Sequence, residues 1–345
     1  MNSLKQTLFF GTYTKKSSVG IYRSELDTQK AHLSLPSAFI QIENPTYLQT
    51  TSTGNLYTVS KKGKKGGVAG FSFGSNNASP QFVSEVLTTG APPCYVGWDH
   101  ERKMVYTANF HKGTLNIFKT LDGKLVQLKE IKYTGHGPRK EQDQARIHYA
   151  DLTPDRRLIV CDLGSDCVYL YDFTDTKLKL ASTYKTEPGF APRHIVFHPN
   201  QKFAFLVGEL SNQVSVLEYD KKSGCLRHKS TLSTLPSQWQ GQNGAAAVRI
   251  SKDGNFLYVS NRGHNSIAIF SIAPDGTLKQ IGFTPVQGEF PRDFALDPTD
   301  HFLVVVNQKT NNATLFERSL KTGQLICKQK DIPVPEGVCV SFSKF

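Results

Sequence analysis

The sequence is poor in several features, and each scarcity removes a class of protein. No two of its six cysteines (Cys94, Cys161, Cys167, Cys225, Cys327, Cys339) form a Cys-x-x-Cys pair. A structural zinc is therefore not expected, and reduced thiols in a cytoplasmic protein are the plain reading. No apolar stretch approaches membrane-spanning length, so no membrane partner is expected. The opening Met1-Asn2-Ser3-Leu4-Lys5-Gln6 lacks the apolar run of a secretion signal. Apolar positions three and four apart never persist long enough for a helix. Acidic residues are scarce too: 29 Asp and Glu stand against 41 Lys and Arg, a net charge of +12. A nucleic-acid binder would concentrate that excess beside exposed aromatics. Here the densest run, Lys61-Lys62-Gly63-Lys64-Lys65-Gly66-Gly67, falls in a turn between strands. It reads as a solvated loop, with contact to something acidic as the alternative. The remaining charge is scattered, so nucleic acid is not expected, and an anionic small molecule accounts for part of the excess.

What the chain has in abundance is itself. Pro192-Arg193-His194-Ile195-Val196-Phe197-His198-Pro199 and Pro291-Arg292-Asp293-Phe294-Ala295-Leu296-Asp297-Pro298 share one frame. Pro93-Cys94-Tyr95-Val96 and Pro45-Thr46-Tyr47-Leu48 fit it as well. Within one copy, Ala247-Val248-Arg249-Ile250 precedes the turn Ser251-Lys252-Asp253-Gly254. The β-rich Phe256-Leu257-Tyr258-Val259 and the alternating Ser266-Ile267-Ala268-Ile269-Phe270 follow. A weaker strand begins at Leu278. Four antiparallel strands in a unit repeating every ~40–50 residues describe a propeller blade, which cannot bury its apolar face alone.

Units begin near Pro45, Pro93, Ile147, Pro192, Ala246 and Pro291, which makes six. The two ends supply a seventh. Gly337–Phe342 matches an innermost strand, while 7–13 and 19–26 match the next two. The expected fold is therefore all-β: a seven-bladed propeller with four antiparallel strands per blade. Its last blade is closed by N- and C-terminal strands, and residues 1–345 form one propeller domain. Pairing the ends removes the loose edges of the ring.

In a propeller the innermost strands surround a channel, and the residues entering them ring one mouth. Those residues here are Thr46, Cys94, His148, Arg193, Ala246 and Arg292. The second strands return to that mouth with Asn109, Asp162, Glu209, Asn261, Arg262, Asn307 and Gln308. Ion pairing of Glu209 with Arg193 and carbonyl capping by Arg262 stand as structural alternatives to substrate contact. His194 and His198 read as packing or surface residues. For His264, structure and substrate contact weigh equally. Two loops exceed the usual hairpin length. The loop 135–142 reads as a lid or rim, and 236–243 carries an exposed-looking Trp239.

The Pro192-Arg193-His194 and Ser260-Asn261-Arg262-Gly263-His264 motifs resemble the seven-bladed propeller lactonases over essentially the whole chain. So do Gly208-Glu209-Leu210, Pro291-Arg292-Asp293-Phe294 and the opening Gly11-Thr12-Tyr13-Thr14. This family includes propeller-type 6-phosphogluconolactonases and is related to the carboxy-cis,cis-muconate lactonising enzyme. The resemblance implies hydrolysis of 6-phosphogluconolactone to 6-phosphogluconate in the pentose phosphate route, without metal or other cofactor. It matches His148, Arg193, Glu209 and Arg262 to the cluster proposed in the muconate relative. A neutral histidine can take a proton from water near pH 7, whereas arginine stays protonated and suits an oxyanion or phosphate. The expected catalytic set is thus His148 with Glu209 as base or its assistant, and Arg193 on the oxyanion. Arg262 and Arg292 are expected on the phosphate. Asn261, His264, Asn307, Gln308 and Asn109 are expected to complete the substrate contacts. The expected partner is a small anionic lactone, bound by a monomer or weak homo-oligomer. Another anionic lactone as substrate, or a non-catalytic propeller binding a protein, are the alternatives.

Overall fold

A computed structural model of the chain describes residues 5–74, 79–174 and 177–345. The first four residues, read above for a leader, lie outside that set. Among the described residues every regular element is a strand, except one short 3-10 turn at Lys140–Gln142. Seven antiparallel sheets form the blades. The fourth is representative: Pro192–Phe197, Phe203–Gly208, Gln213–Asp220 and Cys225–Ser233 pair in chain order from the channel outward. The seventh joins the ends as expected. Gly337–Phe342 is innermost, pairing with Lys5–Thr12, which pairs with Gly20–Asp27. Its outer edge is broken into His32–Leu33 and Ser37–Gln41, so this blade carries five short strands rather than four.

The apolar side chains explain why the ring closes. They fall into seven clusters, and each lies between two neighbouring blades. Phe205, Val207 and Val216 of the fourth blade meet Val248, Leu257 and Phe270 of the fifth. At the closure, Leu8 and Phe10 pack against Val304, Val306 and Leu315 of the sixth blade. Phe9 and Ile21 pack against Leu48 and Leu56 of the first. No blade has a core of its own, so stability is shared across interfaces. Truncating the fully buried Phe10 to alanine costs about 3–5 kcal/mol on the usual large-to-small scale.

One irregularity positions the site. In four innermost strands the ladder slips near its first residues. His148 is skipped between Ile147 and Tyr149, Arg193 between Pro192 and His194, Arg292 between Pro291 and Asp293, and Ala246-Ala247 between Ala245 and Val248. Such bulges turn an extra side chain out of the pleat. Beyond the bulge, normal alternation lines the channel with a second layer containing Tyr47, Tyr95, Tyr149 and His194.

Candidate active site

Two of the bulged residues, His148 and Arg292, and the ends of the second strands meet in a cavity of about 380 Å³ at one mouth of the channel. Thr46, Cys94, His148 and Arg292 come from innermost strands, while Glu209, Arg262, Phe110, Lys61 and Tyr13 come from second-strand ends. Lys15, Asn44 and His111 complete the polar lining. Glu209 is the single carboxylate among the described lining residues, against Lys15, Lys61, Arg262 and Arg292.

Glu209 is clamped. Arg193 Nε lies 2.7 Å from its Oε2, and Arg262 Nη2 lies 3.0 Å from its Oε1. Burial raises a carboxyl pKa, but here the two guanidinium groups overcome it and hold Glu209 down at about 2. It stays ionised, with both oxygens occupied, which makes it a poor proton acceptor. Arg262 also donates through Nε to Gly244 O at 3.1 Å and through Nη2 to Ala245 O at 3.2 Å. Arg262 is thus both carbonyl cap and cavity residue, and its Nη1 has no partner among the described residues.

His148 is buried, and its Nδ1 has no hydrogen-bond partner. Its ring meets Phe110 edge-on at 6.0 Å and lies 5.1 Å from the His194 ring. Burial and then the Arg193 charge push its pKa well below the ordinary histidine value, with Glu209 pulling the other way. The imidazole is therefore neutral and presents a lone pair. Burial lifts the Cys94 thiol to about 11, and its Sγ lies against Ala108 O, so it is no nucleophile at neutral pH.

Several expected substrate contacts are not brought into the cavity. Arg193 is 3% exposed and lies behind Glu209, outside the lining. It touches the carboxylate and, through Nη1 at 3.4 Å, His194 Nε2. Asn109, Asn261 and Asn307 sit one residue before the cavity-facing position, so strand alternation turns them inward. Each donates to the carbonyl of a segment linking two blades: Asn109 to Ala91 O, Asn261 to Thr234 O and Asn307 to Val286 O. Gln308 has the phase of Glu209 and Arg262 but does not line the cavity. His264 bonds Ser266 Oγ at 2.6 Å through Nδ1 and meets Trp239 edge-on at 4.8 Å. It belongs to the packing beneath the 236–243 loop, where Trp239 is half-buried rather than exposed. The 135–142 loop is pinned as a rim: Arg139 Nε donates to Gly189 O, and buried Gln142 donates to Leu163 O and Asp166 Oδ1.

Tyr13, Lys15, Asn44, Phe110 and His111 escaped the sequence reading, and Lys61, read there as part of a solvated turn, instead ends a strand and lines the cavity. Lys61 and Tyr13 occupy the second-strand position of Glu209 and Arg262, so the same register would have found them. His111 follows Phe110 at such an end. Lys15 carries no repeat signal: its loop is fixed from the far end of the chain, where the Glu336 carboxylate accepts the backbone N–H of Lys15, Lys16 and Ser18. Among the described residues no group of three or more His, Cys, Asp or Glu is arranged to hold a metal ion.

Comparison with known proteins follows the same lines. The family model "Lactonase, 7-bladed beta-propeller" matches residues 7–342. The 6-phosphogluconolactonase of Bacillus subtilis is 39% identical over 339 residues, covering 97% of both chains. Among solved structures, a Lactobacillus plantarum protein superposes with a TM-score of 0.96 at 47% identity, covering 98% of this chain and 99% of that one. The periplasmic gluconolactonase of Pseudomonas aeruginosa superposes with a TM-score of 0.92 at 28% identity, with the same coverage.

Proposed function

The chain belongs to the family of seven-bladed β-propeller lactonases, and on that premise we propose that it hydrolyses 6-phosphogluconolactone to 6-phosphogluconate. One observation carries this reading. A neutral imidazole lines a cavity that holds four cationic side chains and one clamped carboxylate. The relatives' names divide on phosphorylation, one carrying the phosphate and one lacking it. The uncompensated positive charge favours the phosphorylated substrate, because a dianion is drawn to a site of opposite sign.

The His148 imidazole accepts a proton from a water as that water attacks the lactone carbonyl carbon. The carbonyl oxygen gains negative charge and is held by the Nη1 of Arg262. Collapse of the tetrahedral intermediate breaks the bond from carbon to ring oxygen, and the proton on His148 passes to that oxygen. The product is an open-chain hydroxy acid. Glu209 does not take the proton; its charge steadies the transient imidazolium and holds Arg262 in place. Arg193 is a positioning residue that keeps Glu209 oriented, a different role from the oxyanion contact expected from sequence. Arg292, which has no carboxylate partner among the described residues, meets the substrate's anionic end. The six cysteines, all unpaired, suit the reducing cytoplasm in which such a substrate arises.

The test is direct. The lactone is generated in situ, and 6-phosphogluconate is followed by a coupled dehydrogenase, with spontaneous opening subtracted. A rate rising in proportion to added protein is expected. A rate equal to the spontaneous one at every protein concentration overturns the proposal.

A further inference from the structure

The cavity's charges are not spread evenly around the ring. Arg292 comes from the sixth blade, Lys15 from the seventh and Lys61 from the first, so three adjacent blades build one cationic wall. His148, Phe110 and His111 face it from the second and third blades, and the Glu209–Arg262 pair from the fourth and fifth.

The wall is constructed, not incidental. Lys61 lies between Ser60 and Lys62, whose side chains both bond Glu85 on the outermost strand of the same blade. Alternation then sends Lys61 to the opposite face, into the cavity. The Lys61 backbone is held by Glu43 O at 3.1 Å. Lys15 is carried on the loop that the buried carboxylate of Glu336 gathers through three backbone N–H groups. Fixed backbones aim two flexible ammonium groups at one place. Among the described residues neither lysine has a carboxylate within ion-pair distance, whereas Lys62 beside them does. On the same wall the side chain of Asn44 lines the cavity, with its Oδ1 buried and unpartnered.

We infer that Lys15 and Lys61, together with Arg292, form a phosphate-recognition wall that sets this enzyme's preference for a phosphorylated over an unphosphorylated sugar lactone. The inference rests on the lactonase reading above and extends it to specificity. The reacting end and the phosphate end of the substrate are separated by construction. The carbonyl carbon lies on the His148–Arg262 side, while the phosphate monoester reaches across to the lysines. An arginine offers a planar fork and two ammonium groups offer rotatable donors, a combination that satisfies three phosphate oxygens.

The experiment compares kcat/KM for 6-phosphogluconolactone and for glucono-δ-lactone, in the wild type and in Lys15→Met, Lys61→Met and Lys61→Arg. The ratio of the two values is the readout. Each methionine variant is expected to lower the ratio roughly 10- to 100-fold, the scale of a charge-assisted hydrogen bond. Lys61→Arg is expected to restore most of it. Equal losses on both lactones, or an unchanged ratio, overturn the wall while leaving the lactonase reading intact. If the wild type opens neither lactone, that reading fails, and calorimetric titration with 6-phosphogluconate then tests the wall. Binding weakened at least tenfold in both methionine variants supports it, and undiminished binding overturns it.

Discussion

The two ends of the channel are built from the same seven strands, one layer apart, yet they treat polar groups in opposite ways. At the proposed active mouth, among the described residues, His148 Nδ1 and Asn44 Oδ1 are buried without partners, and Lys15, Lys61 and Arg292 lack carboxylates. At the far end a cavity of about 440 Å³ is lined by groups that answer one another. Arg249 Nη2 donates to Asp293 Oδ1 at 2.8 Å, and Asp293 Oδ2 accepts from Val340 N. Tyr95 Oη donates to Asp151 Oδ2 at 2.7 Å, and Lys344 Nζ to Gln49 Oε1 at 3.1 Å. Folded chains normally satisfy buried polar groups, so a local deficit marks a place kept ready for something else. The far end shows that this chain can satisfy the polar groups of such a channel from its own side chains. Between the ends, His194 meets Tyr95, Tyr149 and His148 ring to ring and forms the partition.

The largest expected effect breaks the active mouth alone. His148→Ala removes the proposed base and should lower kcat/KM by about 10²- to 10⁴-fold, the usual yield of general base catalysis. Folding should change little by circular dichroism. The wild type carries a matching pH signature. Because burial and the arginines depress the His148 pKa below 6.5, the free base persists on acidification past the ordinary histidine range. The acid limb of kcat/KM should therefore lie below pH 6.5. A limb centred at or above that value would mean that another group supplies the base.

A second test sets equivalent damage at the two ends side by side. Glu209→Gln and Asp293→Asn each remove the charge from a buried carboxylate paired to arginine, and each should destabilise by up to about 3–5 kcal/mol. Their catalytic effects should diverge. Glu209→Gln should cost roughly 10- to 100-fold in kcat/KM, while Asp293→Asn should leave the rate per folded molecule near wild type. The Glu209 contribution has a defined pH window. Its folded pKa of about 2 lies below the free value of 4.5. The stabilisation is present above 4.5, is lost as pH falls from there toward 2, and should be missing from the acid melt of the glutamine variant. Equal catalytic losses in both variants would erase the distinction between the ends.

Much of this contrast was legible in the sequence, for a physical reason. The repeat fixes register, and register fixes which residue enters each innermost strand. Thr46, Cys94, His148 and Arg292 were therefore placed at the mouth without coordinates, and the blade split between the termini was visible in Gly337–Phe342. What failed was phase at the second-strand ends. Asn109, Asn261 and Asn307 look like binding residues beside Phe110, Arg262 and Gln308, but one step along a strand reverses the face. Sequence also gave no sense of depth. Arg193 is at the mouth by register, yet Glu209 covers it. Lys15 was out of reach altogether, because Glu336, more than three hundred residues later, holds its loop.

The smallest predicted effect sharpens the comparison most, because it touches the layer between the ends. Tyr95→Phe removes only the hydroxyl that donates to Asp151. The ring remains, so its stacking on Tyr47 at 4.3 Å and Tyr149 at 4.6 Å should persist. Burial already raises the Asp151 pKa, and the Tyr95 hydroxyl works against that rise. Without it the carboxyl should pick up a proton at higher pH, which limits the damage. A loss of about 1–2 kcal/mol is expected, read as a melting temperature lower by a few degrees. If the ends are independent, kcat/KM should stay within about twofold of wild type, since no donor at the mouth changes. A tenfold fall in kcat/KM with an unmoved melting temperature would show instead that His194 transmits the position of the tyrosine layer to His148. The two ends would then be one site.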